Sequence, residues 1–175
     1  MPFAEHVIQN AYVVNDIDEA IERWHALWGI GPFFVRRHIA MSHVLYRGAP
    51  SQIDISAVYV QAGPVQVELV QQHCDTPSAF RDMYPVGSEG FHHVAMQPQD
   101  DQQQLDHYAA RGFAVATEVR TASGRGAAFV DTRSMLGHMT EVYLSGDATL
   151  QLYRMVAEAA AHWDRRQLTI ELEPT

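Results

Sequence analysis

The stretch 8-IQNAYVVNDIDEA-20 returns in outline as 92-HHVAMQPQDDQQQ-104, and this repetition decides how the chain is read. In each copy a potential metal ligand, Gln9 or His93, opens a segment with strand character. Seven residues later an acidic residue, Asp16 or Asp100, stands where a helix would begin. Each copy then runs on to a strand with a glutamate between apolar neighbours, Glu68 in VQVELVQ and Glu141 in MTEVYL. Two half-sites related by an internal repeat can face each other across a cleft and offer four ligands to one ion.

Working outward, residues 6–14 are rich in β-branched and aromatic side chains, which favours a strand. Asp16 is a plausible N-cap, followed by Ile17, Ala20, Ile21, Trp24, Leu27 and Trp28 at helical spacing up to the Gly29–Pro32 breaker. Segments 33–39, 43–47, 52–60 and 65–71 read as strands, with turns at Gly48–Pro50 and Gly63–Pro64. The second half repeats the order, with a strand at 91–97, a helix over 101–111, and strands near 113–119, 125–131 and 139–145. Residues 1–72 and 91–146 therefore form two modules joined by a polar linker, 73–90. Residues 147–175 add an amphipathic helix and a tail, and the tail either frays or forms a short edge strand. The class is α+β, with the helix packing on the domain or on a second copy.

At 175 residues with 47% apolar content, the chain suits one domain or two small modules with a shared core. Its net charge of −9 argues against nucleic acid and anionic membrane surfaces. The strongest basic run is only Arg36–Arg37. The single cysteine, Cys74, allows no internal disulfide and suits a reducing compartment. MPFAEHVIQN lacks a basic segment followed by an apolar core, so no signal peptide is expected, and no apolar run approaches the roughly 20 residues that span a bilayer. A soluble cytoplasmic protein is the expectation.

Gln9, Glu68, His93 and Glu141 lie on four separate strands, and small residues (Ala11, Ala95) share the face of Gln9 and His93. One imidazole, two carboxylates and an amide oxygen make an N/O set suited to Zn, Ni, Co or Mn in a five- or six-coordinate site. The two glutamates balance a divalent charge, and open positions would admit substrate.

The phrases AYVVNDIDEAIERW, VQVELVQ, GFHHVAM and LGHMTEVYL resemble the vicinal oxygen chelate superfamily, which includes glyoxalase I, methylmalonyl-CoA epimerase, extradiol dioxygenases and bleomycin-resistance proteins. The resemblance spans roughly residues 6–145. It implies two paired βαβββ modules forming a cupped, mostly antiparallel sheet, plus the added C-terminal helix. It also implies one divalent metal on Gln9, Glu68, His93 and Glu141, and a homodimer. The family often has His where Gln9 stands, but the order Gln, Glu, His, Glu is similar to zinc-type glyoxalase I. Extradiol dioxygenases need a second imidazole that this set does not supply.

The isomerase branch removes a proton α to a carbonyl, with a carboxylate moving the proton. Glu141 is the first candidate base and Asp54 the second. His43, Tyr46, Arg47, His73 and Arg125 are candidate substrate contacts, Arg47 and Arg125 for an anionic group; Gln72 could cap the cup mouth and His138 could orient a ligand. A metal-dependent isomerase, epimerase or lyase acting on a small carbonyl or thioester is the expectation. The alternative is a small-molecule binder of the bleomycin-resistance type without metal or turnover.

Overall fold

The computed structural model describes residues 7–98, 100–144 and 147–173. The expected strand start at His6, the strand end at Ser145 and the final two residues lie outside that range. The first half comprises β1 (Val7–Val13), α1 (Ile17–Trp28), β2 (Phe33–Arg36), β3 (Met41–Tyr46), β4 (Ala49–Pro50), β5 (Ile55–Ala62) and β6 (Val65–Gln72). After α2 (Ala79–Met83) come β7 (Gly90–Met96), α3 (Asp101–Ala109), β8 (Val115–Thr121), β9 (Gly126–Val130), α4 (Arg133–Leu136) and β10 (Met139–Tyr143). The chain closes with α5 (Asp147–Ala161) and β11 (Thr169–Glu171).

The strands make one curled mixed sheet in the order β11-β2-β5-β6-β1-β7-β10-β9-β8-β3-β4. The two openings of the repeat, β1 and β7, lie antiparallel at its centre, and each has its own module's last strand parallel beside it. The α+β class and the cupped sheet follow from this arrangement.

Asp16 caps α1 as expected, its carboxylate accepting from the backbone N–H groups of Asp18 and Glu19. Gly29, at φ 67, ends the helix in the left-handed conformation that glycine adopts without strain. Asp100 caps α3 in the same way, accepting from the N–H of Gln103. Ile17, Ala20 and Ile21 of α1 bury against Val58, Val60, Val67 and Leu69 on the convex face of β5 and β6. Leu105 and Tyr108 pack beside Ala128, Val130 and Val142 in the other half.

Two features depart from the sequence pattern, and a third decides between the two readings it left open. The strand expected at 43–47 does not extend its own module. It forms the β3–β4 hairpin, which crosses to the other half and pairs with β8, Val44 opposite Val119. The segment 73–90 carries α2, capped by the Ser78 hydroxyl, and inserts fully buried Ala79 and Phe80 into the core. The tail is ordered enough to form β11, a short strand along the edge of β2. Added strands thus cover both ends of the sheet that the repeated modules build, which shields backbone edges otherwise left open.

The concave face is apolar and holds Phe34, Ala57, Tyr59, Val70, Phe80, Phe129 and Met139. The helix α5 packs onto it, with Val156 fully buried and Leu152 and Ala159 beside it. No helix among the described residues is long and apolar enough to cross a membrane.

Candidate metal centre

Strand register alone gathers the candidate ligands. Residues opposite one another on paired strands share a face. One row across the sheet runs Tyr59, Glu68, Ala11, His93, Met139. The next, two residues along, runs Gln66, Gln9, Ala95, Glu141, Phe129. Gln9, Glu68, His93 and Glu141 therefore all point into the cup, separated by Ala11 and Ala95, both fully buried.

Ligand-capable atoms of Glu68, His93 and Glu141 lie within 4.8 Å of one another. His93 Nε2 is 3.2 Å from Glu141 Oε2 and 3.5 Å from Glu68 Oε2. All three residues are buried. Burial opposes a charge on His93, but Glu141 and then Glu68 outweigh it and hold its pKa up at about 9. Burial pushes the Glu68 carboxyl upward, against the opposing hydrogen bond from His93. The His93 ring, held toward its charged form, thus stands between the two glutamate side chains. A divalent ion suits this donor set better, because two carboxylates neutralise it fully.

A β-bulge adds a control on His93. Tyr12 pairs with Phe91 but Ala11 pairs with His93, which leaves His92 as the extra residue of β7. Regular alternation would turn His92 to the outer face. Here it is fully buried, its Nε2 donating to the Ala79 carbonyl at 2.9 Å and its Nδ1 2.8 Å from His93 Nδ1. Burial, then the neighbouring His93, hold the His92 pKa well down, so its ring is neutral with the proton on Nε2. Its Nδ1 must accept, so His93 Nδ1 donates, and His93 Nε2 is left for the carboxylate cluster. Phe80 and Phe129 pack against the two rings, with centroid separations of 4.8 and 5.1 Å.

Gln9 is fully buried and held at both ends of its amide. Its Nε2 donates to Gln66 Oε1 at 2.8 Å, and its Oε1 accepts from the Tyr143 hydroxyl at 3.1 Å. Tyr143 Oη lies 2.9 Å from Tyr153 Oη on α5, so the added helix reaches the site through a chain of two phenols. The Gln9 oxygen retains a second lone pair for an ion. Glu68 and Glu141 open into a cavity of about 110 Å³, whose wall includes Arg36, Met41, Tyr59, Arg125, Tyr143 and Leu152.

The other expected residues lie elsewhere, apart from Arg125. Asp54 does not reach the Glu141 cluster: it pairs with His38, its oxygen 2.8 Å from His38 Nδ1, on a solvent-exposed side. His73 stacks on His38 and has its Nε2 2.8 Å from the buried Ser56 hydroxyl. His43 is exposed on β3. Tyr46 and Arg47 bind Asp82 on α2, and Arg47 also contacts Asp131. Gln72 is buried and bonds to the 74–78 loop rather than to the cavity. His138 bonds to the carbonyl of Met139.

Sequence reasoning missed His92, Tyr143, Tyr153, Tyr59 and Arg36. Tyr59 was reachable, because the two-residue turn at Gly63–Pro64 sets it opposite Glu68. The bulge that turns His92 inward leaves no comparable signature.

The profile of the Glyoxalase/Bleomycin resistance protein/Dioxygenase superfamily matches residues 8–129. No curated protein matches the sequence. Among solved structures, methylmalonyl-CoA epimerase from Mycobacterium tuberculosis is similar with a TM-score of 0.52 at 14% identity, over 85% of this chain and 93% of that one. A singly substituted form of the Streptomyces coelicolor methylmalonyl-CoA epimerase, in complex with 2-nitronate-propionyl-CoA, gives 0.55 at 16%, over 82% and 96%. A hypothetical protein from Bacillus halodurans gives 0.53 at 15%, over 81% and 95%. At such identities these likenesses establish the shared fold.

Proposed function

The chain belongs to the Glyoxalase/Bleomycin resistance protein/Dioxygenase superfamily, and from that premise we propose that it is a divalent-metal-dependent isomerase, epimerase or lyase that removes a proton α to a carbonyl. One observation carries the reading: Glu68, His93 and Glu141 form a buried, mutually close cluster that opens into a cavity. Gln9 stands beside them as a fourth ligand.

A bound divalent ion would polarise the substrate carbonyl and stabilise the negative charge that develops as the α-proton leaves. The chain's own residues do the rest. Glu141 takes the proton on a carboxylate oxygen and returns it to the substrate. Tyr59 stands opposite Glu68 on the neighbouring strand, and burial followed by the Glu68 charge pushes its pKa up, so its hydroxyl stays a protonated donor. Phe80, Phe129, Met41 and Leu152 exclude water and strengthen every charge interaction inside. Two of the structural neighbours named above are methylmalonyl-CoA epimerases, and thioesters with an acidic α-proton are accordingly the first substrates to try.

Metal content of the purified protein, wild type beside His93→Ala and Glu141→Gln, is the test. The expectation is close to one Zn, Ni, Co or Mn per chain in wild type, and none in His93→Ala. Glu141→Gln should lose α-proton exchange into deuterated water by about 10²–10⁴-fold. A wild-type protein that takes up no metal under any loading condition sinks the reading and leaves a metal-free binding cup.

A further inference from the structure

The dipeptide Arg36–Arg37 divides across the sheet. Arg37, turned to the outer face, is fully committed: its guanidinium contacts Asp18 at 2.7 Å and Glu171 at 3.3 Å. Arg36 sits on the other face. It pairs with Ala57 on β5, in step with Phe34 opposite Tyr59, and Tyr59 in turn lies opposite Glu68. Its side chain therefore lines the same cavity as Glu68 and Glu141. There the residue is half-buried, with its Nε buried and without a hydrogen-bond partner, and no ion pair to it is found among the described residues.

A guanidinium whose Nε is buried without a partner is costly, and such groups are retained when something else completes them. The nearby carboxylates are already spent. A divalent ion with Glu68 and Glu141 sums to zero, which leaves the positive charge of Arg36 unmatched in the cavity wall. Arg125 lines the same cavity, and burial, then the charge of Arg36, lower its pKa. Arg36 thus brings a positive charge to this cavity within a chain of net charge −9.

We infer that Arg36 anchors an oxyanion group of the substrate, so that this pocket takes a small carbonyl compound bearing a carboxylate or phosphate, its carbonyl toward the Glu68–His93–Glu141 cluster. This rests on the function proposed above and narrows its substrate class. The size agrees: about 110 Å³ is below the ~150 Å³ that holds a benzene ring, room for a short acyl group and its charged end. Guanidinium is the cation best matched to such a group, because its planar fork meets two oxygens at once.

Calorimetric titration of the zinc-loaded protein with succinate and with succinamate tests the assignment. The two probes have nearly the same shape, and each has a carboxylate for the metal end. They differ by one charge at the other end. Succinate should bind at least tenfold more tightly to wild type, and Arg36→Gln should abolish that preference with zinc content and thermal unfolding unchanged. Equal affinities in wild type overturn the inference without recourse to any variant, and so does a preference that survives in Arg36→Gln. Inorganic phosphate that displaces succinate from wild type but not from Arg36→Gln assigns the anchor to phosphoryl groups, and failure to displace assigns it to carboxylates. Zinc content is read separately. A protein that binds no zinc defeats the metal-centre reading, and the difference between the two probes on that metal-free protein still decides the role of Arg36.

Discussion

A neutral imidazole offers one nitrogen to a metal only when its proton sits on the other, and in this chain His92 settles that for His93. The Ala79 carbonyl can only accept, which fixes the His92 proton on Nε2 and turns its Nδ1 into the acceptor for His93. Replacing His92 with Phe keeps the apolar packing against Phe80 but removes that acceptor. The His93 Nδ1–H is then buried without a partner, and the competing tautomer, with the proton on Nε2, gains ground. Loss of such an outer partner reduces metal affinity by about 10–100-fold. Competition against a chromogenic chelator should show that loss for His92→Phe, and a smaller one for His92→Gln, whose amide oxygen can still accept. Equal zinc affinity in His92→Phe and wild type would mean that the ring is held by packing alone.

At the scale of elements, α5 is part of the cup wall. Val156 is completely buried among concave-face side chains, Leu152 lines the cavity, and Tyr153 touches the phenol that binds Gln9. Val156→Ala removes two buried methyl groups and should cost about 1–3 kcal/mol. A chain of this size then loses roughly 2–4 °C of Tm per kcal/mol, a shift that calorimetry resolves; no shift would mean that α5 leaves the cup without cost. The apolar stripe of this helix was legible in the sequence, as were α1, the two capping aspartates and the strands that carry Gln9, Glu68, His93 and Glu141. Period-2 and period-3.6 patterns report which residues are buried, and the repeat aligned the two halves. What stayed hidden is set by partners distant in sequence. The β3–β4 hairpin has ordinary strand character, and nothing local says that it pairs with β8 in the other half. The polar stretch 73–90 concealed Phe80, because one buried aromatic in a five-residue helix makes no periodic pattern. Asp54 and Glu141 are both strand-borne acids in the sequence, and only the register separates the exposed partner of His38 from the cavity wall.

On the scale of the whole molecule, the crossing of β3–β4 means that the two halves are tied by more than the β1–β7 seam. The tie is electrostatic at the hairpin's tip. Arg47 contacts Asp82 on α2 at 2.5 Å and Asp131 after β9 at 3.2 Å, while Arg133 holds Asp131 at 2.7 Å. Arg133 and, behind it, Arg47 outweigh burial and keep the Asp131 carboxyl at about 2, against an ordinary 3.8. The sign follows from that order. The folded state binds this proton less readily than the unfolded state, so the network stabilises fully above pH ~4 and loses its contribution as pH falls toward 2. With the Asp131 side chain only 19% exposed, the contribution is on the order of 2 kcal/mol at neutral pH. Asp131→Asn should therefore lower urea-unfolding stability by about that amount at pH 7, with the gap to wild type closing between pH 4 and 2. A gap that is constant across this range would show that Asp131 acts through its hydrogen bonds rather than its charge.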